Sequence, residues 1–182
     1  MQITVIHTSP NEDGLTANLA RAACEGAADA GASAELIKVT DYEVASCWQC
    51  DNGWYKCRDE GWCVIEDQFQ EMRAKVQEAD AWVLVTPVYF GEISESAKCF
   101  TDRLRRCNVG AKGEGLAVKP VIGVAAAGGS GRGTATCLLQ MDRLFSHISA
   151  EIADLITVTQ RSSEYKREAI RAAARAMVEA VE

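Results

Sequence analysis

With 182 residues, 48% of them hydrophobic, the chain is long enough to bury one core and short for two, so a single domain over residues 1–182 is expected. A formal net charge of -7 and a pI near 5.0 surround it with a field that repels nucleic acid and anionic membrane surfaces, which excludes both as expected partners. No basic start followed by an apolar stretch and a small-residue cleavage site opens the sequence, and its apolar runs are strand-sized, so a cytoplasmic location is expected.

Strand-length apolar runs at about 3–7, 34–39, 81–86, 118–126 and 152–158 alternate with helical periodicity at about 15–30, 67–79, 94–106, 134–149 and 163–181. This is βα repeated five times. A strand such as Ala81-Trp82-Val83-Leu84-Val85, apolar nearly throughout, must be covered on both faces, as in a parallel sheet between two helix layers. Right-handed crossovers leave few arrangements of five such strands, and the flavodoxin-like three-layer α/β sandwich, with strand order 2-1-3-4-5, is among the commonest. Ligands of such sheets sit beyond the carboxyl ends of the strands. One segment breaks the rhythm: residues 41–66 form a long connection holding four cysteines and three tryptophans, a Cys/Trp-rich insertion.

Three loops fall on that carboxyl edge. The first, Thr8-Ser9-Pro10-Asn11-Glu12-Asp13-Gly14-Leu15-Thr16, opens a helix with hydroxyls, a glycine and free backbone amides, which is an anion cradle. It has neither the lysine of a P-loop nor three spaced glycines, so a single terminal phosphate, as in FMN, suits it better than ATP or a dinucleotide. An ordinary turn capped by Asp13 or Thr16 also satisfies these residues. The second, Thr86-Pro87-Val88-Tyr89-Phe90-Gly91-Glu92, could set aromatics and the amides of Tyr89, Phe90 and Gly91 against a flat heterocycle, or simply seal the sheet end. The third places Gly128, Gly129, Gly131 and Gly133 within a short run, clearing side chains from the edge or providing a flexible link.

Ser9-Pro10 with Gly14 and Thr16, the stretch Cys63-Val64-Ile65-Glu66-Asp67, and Thr86-Pro87-Val88-Tyr89-Phe90-Gly91 followed by Lys98 to Arg103 resemble the NADPH-dependent FMN reductase and iron-sulfur flavoprotein branch of the flavodoxin-like superfamily. The resemblance runs over most of the chain. It implies FMN binding by Ser9, Asn11, Gly14, Leu15, Thr16, Pro87, Val88, Tyr89, Phe90, Gly91, Gly128, Gly129 and Gly131. It departs from the family at Asn11, where relatives often carry arginine or lysine, so the phosphate would rest more on amides and hydroxyls.

Eight cysteines without an export signal argue for thiols rather than a disulfide framework. Cys24, Cys99, Cys107 and Cys137 are scattered along expected helices, whereas Cys47-x2-Cys50-x6-Cys57-x5-Cys63 resembles the iron-sulfur flavoprotein motif with a longer middle spacing. Four thiolates suit a [4Fe-4S] cluster or a tetrahedral zinc; a bare thiol loop and a reversible Cys47–Cys50 disulfide remain open as well. Trp48, Trp54 and Trp62 cover a ring or anchor the loop, and His7 either touches ligand or is an interior imidazole. Flavin chemistry requires no protein nucleophile, so no catalytic residue is nominated. The expected function is electron transfer from NAD(P)H as co-substrate through FMN to a quinone, flavin or other acceptor. The alternative is a non-catalytic electron carrier, with or without a cluster. The expected partners are small-molecule or protein redox partners, in a homodimer or homotetramer.

Overall fold

The computed structural model describes residues 1–112 and 116–181. Five parallel strands, β1 (Gln2–His7), β2 (Ser33–Lys38), β3 (Ala81–Pro87), β4 (Pro120–Ala127) and β5 (Glu151–Thr159), form one sheet in the order β2-β1-β3-β4-β5. The helices are α1 (Leu15–Asp29), α2 (Lys56–Asp59), α3 (Phe69–Glu78), α4 (Glu95–Gly110), α5 (Thr134–His147) and α6 (Ser163–Glu179). The expected topology is the observed one, a flavodoxin-like α/β fold.

The sequence pattern of β3 explains the layering. All seven of its residues are buried, and the period of two sends them to opposite faces. Ala81, Val83 and Val85 join Leu19, Ala20 and Ala23 of α1 and Ile170 and Ala174 of α6, whereas Trp82 and Leu84 join Phe69 and Met72 of α3, Phe100 and Leu104 of α4 and Phe145 of α5. Trp82 meets Phe145 edge to face, with ring centroids 5.4 Å apart. Each such side chain, fully buried, contributes about 1.5–3 kcal/mol. The edge strands β2 and β5 are only partly buried, as neighbours on one side alone require.

The element boundaries depart from the expected ones where backbone geometry intervenes. β4 begins at Pro120 rather than 118, because Val118 sits at φ +57°, exposed, with its amide donated to Ser149 O at 2.7 Å. α4 continues past 106 to Gly110 because Cys107 and Asn108 face the core. α3 starts at Phe69, two residues later than expected, since the Asp67 carboxylate accepts the Phe69 amide at 3.1 Å instead of being helical itself. The 41–66 segment is not structureless: it begins at the end of a 3-10 turn, Val39–Asp41, and contains a second, Asp51–Gly53, and α2.

Candidate functional site: a carboxyl-edge rim and a cysteine pocket

At the end of β1 the chain enters α1 through Gly14, which occupies the N-cap with extended φ/ψ and no side-chain hydrogen bond. Neither Asp13 nor Thr16 caps the helix, so the capped-turn alternative does not hold. Ser9 is buried and its hydroxyl accepts the Asn11 amide at 3.2 Å, while Thr16 is buried in the first turn. The opening turn of α1 thus has no side-chain cap among the described residues, at the end of the helix where the dipole is positive.

This loop is locked to the one after β3 by a hydroxyl network that sequence reading missed. Thr8 Oγ1 donates to Thr86 Oγ1 at 3.0 Å, Ser94 Oγ donates to Thr8 Oγ1 at 2.7 Å, and Ser96 Oγ donates to Thr8 O at 2.8 Å. Ser94 also caps α4, accepting the Ala97 amide, and its own amide bonds Thr86 Oγ1. The available signal was two threonines at adjacent strand ends and a serine at a helix start.

The β3 loop makes a tight turn. Tyr89 and Glu92 exchange both backbone hydrogen bonds, 3.0 and 2.9 Å, around Phe90 at φ +53° and Gly91 at φ +83°. Positive φ at both central residues is the mark of a type I′ turn. It engages the Tyr89 amide, and Val88 N is donated to Ala126 O at 3.0 Å, so of the amides expected to face a ligand only those of Phe90 and Gly91 are left by the turn. A bulky residue in the left-handed region is strained, and Phe90 is moreover fully exposed. Strain together with an exposed aromatic marks this turn as a contact surface.

The β4 loop completes the rim. Gly133, at φ +81°, packs so closely on Gly91 that a Cβ there would lie 2.5 Å from the Gly91 Cα, and Thr136 Oγ1 donates to Gly91 O at 2.7 Å. Gly129 faces open space, and a Cβ on Gly128 would meet only Gln160 Nε2, at 3.9 Å. Between the two loops lies an open cleft of about 490 Å³, lined by Val88, Phe90, Gly91, Ala127 and residues 128–133. It adjoins a second hollow of about 370 Å³ over Gly129, Ser130 and Gly131 reaching Thr159 and Arg161. The structure thus brings the residues singled out after β1, β3 and β4 to one edge.

His7, at the end of β1, is buried, and its Nδ1 has no hydrogen-bond partner among the described residues. Burial, reinforced by Lys38, holds its pKa below the ordinary 6.5.

The four clustered cysteines also come together. Cys47, Cys50, Cys57 and Cys63 line one pocket with Trp48, Tyr55, Trp62, Arg103, Arg106 and Cys107; it encloses about 20 Å³, room for about one water. Among the described residues no three His, Cys, Asp or Glu side chains stand close enough to share one metal ion. Among the described residues neither carboxylate nor imidazole lines the pocket, whereas Lys56, Arg103 and Arg106 do. Of the other four thiols Cys107 and Cys137 are buried and Cys24 and Cys99 partly so; burial pushes Cys24 up to about 11, Cys107 and Cys137 up to about 12, and raises Cys99 as well, which favours the unreactive thiol form.

Arginines from α3 and α4 hold the segment in place. Arg103, almost wholly buried, grips both oxygens of Asp67 at 2.6 and 2.8 Å, donates to Ala45 O at 3.1 Å, and lies 4.2 Å over the Phe69 ring. Burial alone would raise the Asp67 pKa, but Arg103 and the amides of Ala45 and Phe69 outweigh it and keep the carboxylate below its usual range. Arg73 donates to Gly61 O at 2.5 Å, and Arg106 bonds Gly53 O while lying over Trp54. Trp54 is therefore an anchor rather than a lid. Gly110 of α4 presses on Cys57 and Gly61 so tightly that no side chain fits between them.

The family profile of NADPH-dependent FMN reductase matches residues 1–177. An iron-sulfur flavoprotein of Methanocaldococcus jannaschii is 33% identical over 147 residues, 80% of this chain and 72% of that protein. An iron-sulfur flavoprotein of Methanosarcina thermophila is 32% identical over 156 residues, 84% and 76% of the two chains. RosB, solved with bound 8-demethyl-8-formylriboflavin-5'-phosphate, superposes with a TM-score of 0.73 at 14% identity over 98% of this chain and 76% of its own, a likeness of fold. The chain belongs to the NADPH-dependent FMN reductase family, whose members are flavin-dependent oxidoreductases, and its sequence relatives include iron-sulfur flavoproteins.

Proposed function

We propose that the chain binds one FMN along the carboxyl-edge rim and moves electrons through it between a nicotinamide donor and a small-molecule or protein acceptor. The observation that carries this reading is the meeting of three loops at one edge: an uncapped helix N-terminus, a strained exposed aromatic turn and a glycine-cleared cleft. The phosphate would be held by the amides of Gly14, Leu15 and Thr16 with hydroxyl support from Ser9 and Thr16. The isoalloxazine would rest against Pro87, Val88, Tyr89, Phe90 and Gly91, facing Gly128, Gly129 and Gly131. FMN supplies the redox chemistry when bound, and the protein binds it, orients it and excludes water from one face. A steady-state NAD(P)H oxidation assay of FMN-loaded protein tests the nicotinamide step. Turnover with a quinone or free flavin supports an enzyme that uses the dinucleotide directly, and its absence unless a separate reductase is supplied overturns that step.

A second reading, an electron carrier with a [4Fe-4S] cluster on Cys47, Cys50, Cys57 and Cys63, is favoured by the convergence of those thiols on one arginine-lined pocket. Zinc is less suited, because one tetrahedral ion needs its sulfurs closer together than they stand, whereas a cubane takes one thiolate at each of four corners. The 41–66 segment would have to wrap around such a cluster, since the pocket is smaller than one. Iron and acid-labile sulfide in anaerobically reconstituted protein, with a broad absorption shoulder beneath the flavin bands, are the expected result; their absence removes the cluster. The exposed Trp48, Tyr55 and Trp62 beside the pocket, and Tyr89 and Phe90 at the rim, suit burial between copies in a homodimer or homotetramer, which light scattering of the loaded protein checks.

A further inference from the structure

A groove of about 260 Å³ opens between α4 and α5, adjoining the aromatic turn at Glu92. Each helix presents one stripe to it, spaced i, i+3, i+4 and i+7: from Lys98 to Arg105 on α4, and from Gln140 to His147 on α5. Several polar groups there are already engaged. Lys98 pairs with Asp102, Gln140 Oε1 accepts the Ile93 amide at 3.3 Å, and His147 Nδ1 donates to Arg143 O at 2.8 Å. The side chains of Arg105 and Arg143, by contrast, make no ion pair and no hydrogen bond among the described residues; Arg105 is steadied only by the Trp54 ring, whose centroid lies 5.9 Å from its guanidinium. Thr101, 3% exposed, also lines the groove, and its hydroxyl too lacks a partner among the described residues. A hydroxyl so buried is unfavourable unless something bonds it.

The two helices bring these groups to one level. Both start at the rim, where the Ser94 amide bonds Thr86 and Gly133 packs on Gly91, and both run away from it. Arg105 stands ten residues after Glu95 and Arg143 nine after Thr134, so they lie about 15 and 14 Å along their helices. Helical side chains tilt toward the N-terminus, which carries Arg105 toward Thr101, one turn earlier on the same face. Glu92 stays at the rim end and Lys98 neutralises Asp102, so this stretch is cationic on a chain of net charge -7. We infer that the α4/α5 groove binds a phosphate monoester between Arg105 and Arg143, with the Thr101 hydroxyl as a third donor. Two guanidinium forks and a hydroxyl match the three terminal oxygens of a phosphate better than the two of a carboxylate. The site itself does not depend on the FMN reading. Its phosphate has two sources: the 2′-phosphate of a nicotinamide dinucleotide reaching down from the rim, which rests on that reading, or a free phosphate or phosphorylated small molecule.

Calorimetric titration with inorganic phosphate, 2′-AMP and adenosine tests the site, on protein given one equivalent of FMN so that the cradle after β1 is occupied. Wild type is compared with Arg105→Gln, Arg143→Gln, Thr101→Val and Arg175→Gln, the last making the same charge change on α6 in the opposite layer. The expected result is saturable binding of phosphate and 2′-AMP but not of adenosine. Either groove arginine variant should weaken it by about tenfold or more, and Thr101→Val by about threefold, with Arg175→Gln like wild type. Melting temperatures check the fold, and the exposed Arg143 decides should another variant fail to fold. Absence of saturable binding by wild type, 2′-AMP held no tighter than adenosine, or binding untouched by Arg105→Gln and Arg143→Gln overturns the site. An equal loss in Arg175→Gln makes the attraction one of net charge and overturns it too. NADP+ and NAD+ then separate the sources. NADP+ bound tighter by a factor that Arg143→Gln removes assigns the phosphate to the dinucleotide, and equal affinities assign it to a free phosphate or phosphorylated small molecule. All arms read binding rather than turnover, so failure of the nicotinamide step is told apart from failure of the groove.

Discussion

At the carboxyl edge the loops after β1, β3 and β4 offer backbone amides and cleared glycines, supported directly by a sheet whose central strand is wholly buried. In the 41–66 segment the working groups are thiols and indole rings, carried on a chain with little regular structure and held from outside by Arg73, Arg103 and Arg106. The rim inherits its geometry from the fold; the pocket depends on a few side-chain contacts. Single substitutions should therefore disrupt the pocket through lost charge pairing and the rim through lost space or backbone conformation.

The largest effect is expected at the pocket. Arg103→Ala leaves the partly buried Asp67 carboxylate without its cation and with only the amides of Ala45 and Phe69, and removing one partner of such a pair costs about 3 kcal/mol, read as a fall in denaturation midpoint. A fall under 1 kcal/mol would show that the pair does not hold the segment. At the rim, Gly133→Ala forces a Cβ against Gly91 and a strained φ, with an expected loss of about 1–3 kcal/mol and weaker FMN binding by titration. Retention of full affinity would separate the cleft from the ligand. Phe90→Gly sharpens the contrast by moving stability and affinity in opposite directions. Relief of a left-handed bulky residue should raise stability by roughly 1 kcal/mol, while loss of the exposed ring weakens binding. A variant that binds FMN as well as wild type would reduce Phe90 to a turn residue.

The smallest effect concerns pH. His7 resists protonation in the folded state, so the unfolded chain binds more protons just below pH 6.5 and stability rises with pH there. This contribution is complete above 6.5 and is lost as pH falls toward the lower folded-state value. His7→Asn should flatten that part of the melting-temperature profile, and an unchanged slope would assign the dependence to other groups.

Legibility in the sequence follows the same division. Strand order and the three rim loops could be read because β3 is apolar without interruption and because glycine clusters mark the strand ends, both local signals. The type I′ turn at Phe90-Gly91 was not visible, since nothing in the sequence shows that a phenylalanine takes positive φ. The convergence of Cys47, Cys50, Cys57 and Cys63 was legible as a motif, but the clamp was not. Arg103 pairs with Asp67 across 36 positions, and an arginine on a helix reads as a solvated charge until the fold buries it. The Thr8, Thr86 and Ser94 network escaped for the same reason, being assembled only when β1 and β3 pair.

The central claim, that the carboxyl-edge rim is an FMN site, is tested most directly by titrating the chain with FMN while following flavin fluorescence and melting temperature, with Gly133→Ala alongside. The account predicts saturation at one FMN per chain, a rise in stability of about 2.7 kcal/mol at a hundredfold excess over Kd, and a weakened response in the variant. An unmoved melting temperature with FMN left free in solution, or equal binding by both proteins, would contradict it.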